Sequence, residues 1–361
     1  LAGTYNNLGF TQTFGVTVVE QTNPNMGLYA QDEWKASSAL TLNLGLRYDV
    51  QWLETIATDT NNISPRLGFA YAPTPSRRTL VRGGAGLFVD RVPLRALANA
   101  LLSANNTTDV RNLQQVSISV SPTQAGAPAF PAILAAPVQA VTLPNLTTMD
   151  TRLRNAYARQ ASLEVEQQVG DRATVSVGYE YLRSSGLLMA INQNVPACVA
   201  SGTNNGCRPV ADYANNSQYR AAGRSTYHGL QVSWVQRPTS WGSVRVSYVL
   251  SKSMNNLGEF FFSGPIAPFD IEKDWGRSDN DQSHRLTANA TVRTPMGPAD
   301  AAWKKLAYGF QLSGGLQAYS ALPLNITSGV TTIQGTAGRP LVNGAFLPRN
   351  AGVGNDFFTM N

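Results

Sequence analysis

The chain has 361 residues, of which only 14% are charged, and its formal net charge is +6 at pH 7. Average soluble domains carry about 25% charged residues. The sequence contains no apolar run of about 18 residues or more, which excludes membrane-spanning helices. A closed β-barrel remains compatible with the mean hydropathy of −0.17, because barrel strands are apolar only at alternate positions.

The basic residues are scattered along the chain and form no cluster, so we expect no nucleic-acid partner. The chain begins LAGTYNNLGF, without an initiating Met or a signal peptide, and we interpret this as a cleaved or missing start. Cys198 and Cys207 flank a loop rich in Gly and Asn. They are predicted to form a local disulfide in an oxidising compartment, and two free thiols are the alternative.

The first predicted strand lies around Phe14 to Glu20. It is followed by a long hairpin from Gly27 to Trp52, with a turn at Ala36 to Ser38. Apolar and polar residues alternate without a break from Leu40 onward, which indicates a strand with one face of each kind. At roughly 3.3 Å per residue and a tilt of some 40°, its length covers about 30 Å, as a bilayer requires.

The same pattern recurs along the rest of the chain. Further strands are predicted at 63–72, 80–90, 114–121, 154–169, 173–182, 227–236, 242–252, 285–293, 306–320 and 356–361, with a short helix at 92–102. Short connections near 36–39, 73–78, 170–172, 238–242 and 295–305 alternate with long ones. This predicts an all-β, antiparallel transmembrane barrel portion of roughly 12 long strands, with short periplasmic turns and long extracellular loops.

Alternation also assigns side chains to the two faces of the sheet. The residues expected to face lipid are Leu40, Leu42, Leu44 and Leu46. A charge facing lipid costs about 2–4 kcal/mol at the midplane, so charges on the polar faces are expected to point into the lumen. These are Arg47, Asp49, Glu164, Glu166, Glu180, Arg245 and Arg293. Trp34, Trp52, Trp234 and Trp241 lie near strand ends, as in an aromatic girdle; ordinary cross-strand pairing is the alternative.

The stretch DIEKDWGRSDNDQSHR is the richest cluster of charged groups. It contributes Asp274, Arg277, Asp279, Asp281, His284 and Arg285, which we interpret as an ion-paired loop that orders the entry of a strand. A calcium site or a catalytic pair with His284 are the alternatives, although the spacing matches neither an EF-hand nor an H-E-x-x-H motif. No other catalytic or cofactor-binding motif is found, so we expect no enzyme activity, no cofactor and no metal.

Several segments together resemble one family, the TonB-dependent outer-membrane receptors, and in particular their Oar-like members. The segments are GLYAQDEWKASSALTLNLGLRYD, NISPRLGFAY, TLVRGGAGLFVDR, YHGLQVSWVQR, VSYVLSKSMNN and RSDNDQSHRL. The resemblance implies a barrel of 22 strands, an N-terminal plug and a TonB box. Neither plug nor box is found, so residues 1–361 are expected to form a single barrel region, the C-terminal part of the barrel truncated at both ends.

The resemblance implies active uptake of a scarce, unknown solute across the outer membrane of a Gram-negative type of cell. For the parent protein it implies two further partners, the plug domain and a TonB-type energy-coupling protein, in addition to outer-membrane lipid. Two other interpretations stay open. One is a passive porin or adhesin-like barrel without a plug, and the other is a soluble, secreted, all-β carbohydrate-binding protein.

Overall fold

A computed structural model describes residues 10–120, 127–136, 143–201, 204–258, 263–294, 302–330 and 337–360. The longer strands are β1 (Phe10–Gly15), β2 (Asn25–Lys35), β3 (Leu40–Gln51), β4 (Ile63–Tyr71), β5 (Thr79–Val89), β6 (Gln115–Val120), β8 (Tyr157–Val169), β9 (Ala173–Asn192), β10 (Asn216–Gln236), β11 (Gly242–Asn255), β13 (His284–Arg293) and β14 (Gln311–Tyr319). The shorter strands are β7 (Leu146–Met149), β12 (Gly276–Arg277), β15 (Pro323–Leu324), β16 (Leu341–Val342), β17 (Ala345–Phe346), β18 (Gly352–Val353) and β19 (Phe357–Met360). Two helices, α1 (Leu94–Ala104) and α2 (Ala302–Ala307), complete the elements, together with 3₁₀ turns at Val110–Asn112 and Ile271–Asp274.

One sheet of 13 strands dominates the structure. Eleven of its strands follow one another in the order β2-β3-β4-β5-β8-β9-β10-β11-β13-β14-β19. Every neighbouring pair in this series is antiparallel. The two short additions are β7, parallel to β10, and β12, antiparallel to β11. The predicted antiparallel β-barrel architecture is therefore confirmed, and β2 and β19 are the edges of the described sheet.

The predicted sorting of connections is present in the sheet. Short turns join β2 to β3, β4 to β5, β8 to β9 and β10 to β11, while the long segments all lie at the opposite end. We call the described residues of these long segments the loop layer: 52–62, 90–120, 127–136, 143–156, 193–201, 204–215, 256–258, 263–283, 320–330 and 337–356. No helix in the described part of the chain is both long and apolar enough to cross a membrane.

Three predicted boundaries are wrong. The first strand spans Phe10–Gly15 and not Phe14 to Glu20, and it pairs with β6 outside the main sheet. Residues 306–310 do not belong to a strand, because the helix formers of AWKKLA build α2 and β14 begins only at Gln311. The region 183–225 is not one long loop, since β9 continues to Asn192 and β10 already begins at Asn216.

Helix α1 forms the centre of a hydrophobic core inside the loop layer. Ala96, Leu97 and Ala100 are completely buried and belong to a cluster that also contains Met149 and Tyr219. The helix is capped by Asn105, whose N–H donates to the carbonyl of Leu101 and whose left-handed backbone (φ 51) lets the next N–H, of Asn106, donate to the carbonyl of Ala100. The loops above the sheet therefore pack against one another as a folded layer.

Candidate functional site

The pairing register divides the side chains of the main sheet into two faces. Leu40, Leu42, Leu44 and Leu46 lie on one face of β3, opposite Tyr71, Phe69, Leu67 and Pro65 of β4. Continued strand by strand, this apolar face includes Val165, Val177, Val232 and Val246. The opposite, polar face carries Thr, Ser, Asn, Gln and many of the charged residues, whereas Asp32, Arg159, Arg183 and Lys252 lie on the apolar face by register. Arg47, Asp49, Glu164, Glu166, Glu180, Arg245 and Arg293 all belong to it by register.

Ion pairs lie on the polar face, both between neighbouring strands and along one strand. Arg82 of β5 contacts Glu164 at 2.8 Å and Glu166 at 2.6 Å on β8. Arg47 pairs with Asp49 along β3 at 2.7 Å through two hydrogen bonds. Arg82 was not singled out in the sequence, although alternation along β5 is a signal that could have placed it on this face.

A concavity of about 710 Å³ opens on the polar face beside these pairs. Its polar lining includes Arg82, Glu164, Glu180, Tyr227 and Arg285. Arg293 lies further along β13, near the turn end, where its Nε donates a hydrogen bond to Gln311 at 3.0 Å. The face therefore offers both signs of charge and several hydroxyls to whatever occupies the space beside it.

In the loop layer, one loop is closed by the disulfide between Cys198 and Cys207. The same loop is anchored by Asn194, which is 1% exposed. Its Nδ2 donates to the carbonyls of Val210, Tyr213 and Ala214 at 2.8–3.0 Å. The backbone of this loop is thus held from its interior as well as by its covalent link.

Two other loops are joined by a network of buried ion pairs. Arg339, with a side chain only 3% exposed, lies 3.0 Å from Asp274, and Arg349 lies 2.6 Å from Asp279. Burial is the main influence on the first pair: it raises the pKa of Asp274 and lowers the pKa of Arg339. Such a pair gains stability only with good geometry and extra hydrogen bonds. Asp274 accepts one such bond from the amide of Ile266 at 2.7 Å.

A cavity of about 420 Å³ lies between these two loops. Asn256, Asp274, Asp279, Arg339 and Arg349 all contribute to its lining. The Nδ2 of Asn256 and the Nε of Arg339 are buried donors that find no hydrogen-bond acceptor in the part of the chain that the structure describes. The loop arginines gave no signal in the sequence, because nothing in a single chain shows which loops meet.

The structure separates the predicted Asp274 to Arg285 cluster into two parts. Arg277 pairs with Asp281 at 2.7 Å, and both belong to the loop network with Asp274 and Asp279. His284 and Arg285 do not, because they are consecutive residues of β13 and point to opposite faces. The Nδ1 of His284 is 2.7 Å from the hydroxyl of Tyr248 on the apolar face. Arg285 lies over the ring of Tyr319 on the polar face.

This separation removes the geometric basis for a His284 metal site or catalytic pair in that stretch. Among the described residues, no group of three or more His, Cys, Asp or Glu side chains is placed to hold a metal ion.

Comparison with known families decides between the architectures that such a sheet allows. Residues 53–360 match the family described as outer membrane beta barrel domain. The chain belongs to this family. The TonB dependent receptor-like beta-barrel matches residues 2–89, in agreement with the resemblance of the opening hairpin. This outer-membrane barrel is accordingly located in the outer membrane of a Gram-negative type of cell.

Individual relatives match this chain over only part of their own length. The TonB-dependent transporter Oar of Myxococcus xanthus is 32% identical over 103 residues, which are 27% of this chain and 10% of Oar. The outer membrane transporter YddB of Escherichia coli has a TM-score of 0.56 at 14% identity, covering 86% of this chain and 35% of YddB. The ferripyoverdine receptor of Pseudomonas aeruginosa has a TM-score of 0.49 at 9% identity, covering 85% of this chain and 30% of that receptor. This chain therefore spans about a third or less of the length of each of these proteins.

Proposed function

We propose that this chain is the barrel part of a TonB-dependent outer-membrane receptor that takes up a scarce solute actively. The apolar face contacts lipid, and the polar face lines the lumen. The observation that carries the proposal is the folded loop layer above a charged polar face. A binding surface needs fixed geometry, and here it is supplied by the buried core around Leu97 and by the Arg339 and Arg349 ion pairs. The likeness to Oar supports it.

The polar face is suited to a protein domain in the lumen as well as to water. Several of its charges are already paired, as between Arg82 and Glu164, so a plug domain can dock over these pairs without leaving either charge alone. The edges at β2 and β19 require pairing in lipid, where each unsatisfied backbone group costs several kcal/mol. We assign this pairing to further strands of a longer receptor, and energy coupling to a TonB-type protein.

The main alternative is a passive porin or an adhesin-like barrel without a plug. A conductance measurement distinguishes this alternative from the proposal, and it does not require that the solute be known. The receptor purified from outer membranes is inserted into a planar bilayer, where a plugged barrel is expected to show no steady open channel. A stable open channel in the untreated protein would support the porin and contradict the proposal. A soluble carbohydrate-binding protein is inconsistent with membership in an outer-membrane barrel family.

Energy coupling is tested in cells. Mass spectrometry measures which solutes are removed from the medium by cells with the receptor and by cells without it. Both measurements are repeated after addition of a protonophore. Active uptake predicts at least one solute whose removal requires both the receptor and the proton gradient. Removal that continues unchanged after the protonophore would indicate passive entry.

A further inference from the structure

Two side chains that line the cavity between the loops after β11 and β14 carry buried hydrogen-bond donors. Asn256 is completely buried and Arg339 is nearly so, and both contribute to the lining of this cavity of about 420 Å³. Within the described residues, neither the Nδ2 of Asn256 nor the Nε of Arg339 has an acceptor. A buried donor without a partner is costly, so a ligand that supplies acceptors would remove the cost at both groups.

The other polar atoms of these two side chains are engaged with the protein. The amide N–H of Arg224 donates to the Oδ1 of Asn256 at 2.8 Å, which identifies the Nδ2 end of this amide as the remaining donor. On Arg339, Nη2 donates to the carbonyl of Lys273 at 2.6 Å and lies 3.0 Å from Asp274. Both side chains are therefore held in place by their neighbours, and the orientation of the remaining donor on each is fixed.

The size and the lining of the cavity favour a small organic molecule over water. A water molecule occupies about 30 Å³ in the liquid and needs two to four polar partners when it is buried. The cavity is many times larger, and Met189, Leu257, Pro265 and Ile266 are among the residues that line it. Pockets for small molecules have volumes from about 300 Å³ upward and combine an apolar lining with a few fixed polar groups. This cavity has both properties.

The charges around the cavity balance one another, which favours a neutral ligand. Among its lining residues, Asp274 pairs with Arg339 and Asp279 pairs with Arg349. An anion would add an unpaired charge to this buried site, which costs far more than burial of a neutral group that is hydrogen-bonded. The uncharged acceptor that suits the two donors is a carbonyl oxygen, as in an amide.

We propose that this cavity binds small neutral amides, whose carbonyl oxygens accept hydrogen bonds from the Nδ2 of Asn256 and the Nε of Arg339. The apolar part of the ligand lies against Met189 and Ile266. The cavity shares no lining residue with the concavity on the polar face. Binding at this site is therefore independent of the proposed active uptake, and failure of one proposal leaves the other standing.

The test uses the full receptor, purified from outer membranes in detergent, and two pairs of probes. The pairs are acetamide with acetate, and N-acetyl-leucinamide with N-acetyl-leucine; the members of each pair are similar in size and differ in charge. Saturation-transfer difference NMR titrations at pH 7 give the dissociation constants. We expect both amides to bind the wild type, and each acid to bind at least about tenfold more weakly, because its carboxylate would be buried without an opposite charge.

N256D removes the Nδ2 donor and keeps the oxygen that accepts the bond from the Arg224 amide. We expect it to bind the amides about tenfold more weakly than the wild type, since an acceptor then faces the carbonyl of the ligand. The matched control is N61D, the same substitution at an exposed residue of the loop layer, which is expected to bind as the wild type does. Heat-modifiable migration and hydrogen exchange at 263–281 check that the barrel and the loop remain folded.

If N256D loosens the loop, R339K serves in its place. Lysine keeps a positive charge beside Asp274 but has no Nε–H, so amide binding is expected to fall about fivefold. Equal binding of amides and acids, unchanged amide binding in the variant, or equal loss in N61D would overturn the proposal. Failure of both amides to bind the wild type would also overturn it, and would assign the cavity to water.

Discussion

Arg349 donates a hydrogen bond to Asp279 at 2.6 Å, although 70 residues separate the two in the chain. The same guanidinium donates to the side chain of Asn255 at 2.6 Å and to the carbonyl of Leu257. One arginine of the loop after β14 therefore satisfies three acceptors in and around the loop after β11. Arg349 therefore helps to fix the relative position of these two loops, together with Arg339 and Asn350.

Arg349→Ala is expected to loosen the contact between the two loops without unfolding the sheet, while the Arg339–Asp274 pair remains. The variant loses hydrogen bonds from a charged group that is 8% exposed, and such bonds each contribute about 1.5–3 kcal/mol, less where Asp279 meets solvent. Hydrogen exchange should increase at 270–281 and 341–350, with an unchanged urea midpoint for the sheet. Arg111→Ala is the control, because the Arg111 side chain is 87% exposed in its pair with Asp109. Unchanged exchange in Arg349→Ala would contradict the assigned role.

The core of the loop layer provides a second prediction. Leu97 is completely buried in α1, whereas Leu94 of the same helix is 44% exposed. Leu97→Ala is expected to destabilise the layer by about 2–5 kcal/mol, as large-to-small changes in a packed core do. Limited proteolysis should then cleave within 90–156 sooner than in the wild type. Leu94→Ala should be cleaved at the wild-type rate, and early cleavage there would show that the helix is not packed as described.

The membrane-spanning strands could be predicted from the sequence, but their continuation into the loop layer could not. The alternation of β9 was clear up to Leu182, and we expected the strand to end there. It continues to Asn192 because Met189, Ala190 and Ile191 are buried in the loop layer, where lipid no longer imposes one apolar face. The apolar run LLMAI (187–191) was the sequence signal for this continuation. It can be interpreted only once α1 is known to form the core against which Ala190 is buried.

The loop network illustrates a second limit. The acidic stretch around Asp274 was expected to be rich in ion pairs, but Arg339 and Arg349, which contact Asp274 and Asp279, lie more than 60 residues further along the chain. No local pattern links them, since loops have no periodicity and their pairing depends on how neighbouring strands place their ends. The same reason explains why the pairing of β1 with β6 was not predicted.

The disulfide gives a third prediction. Cys198 and Cys207 close a short loop, with a sequence separation of 9. A closed loop of this size stabilises the folded form by up to about 3 kcal/mol in the chain-entropy model. Reduction, or Cys198→Ser with Cys207→Ser, is expected to increase proteolysis within 193–215 only, because Asn194 still anchors the loop from inside. A loss of heat-modifiable migration by the whole barrel would contradict this local role.

The assignment of the two faces is tested most directly by adjacent residues of β3. Leu44 and Asn43 are neighbours in sequence, both exposed, and the register places them on opposite faces. If the apolar face contacts lipid, Leu44→Arg costs about 2–4 kcal/mol near the midplane, whereas Asn43→Arg places the same charge in a polar lumen. We therefore expect Leu44→Arg to lower the folded fraction in urea titrations monitored by heat-modifiable migration, with Asn43→Arg close to the wild type. Equal effects of the two substitutions, or a larger effect of Asn43→Arg, would show that the faces are assigned wrongly, because the added side chain and the strand position are otherwise matched.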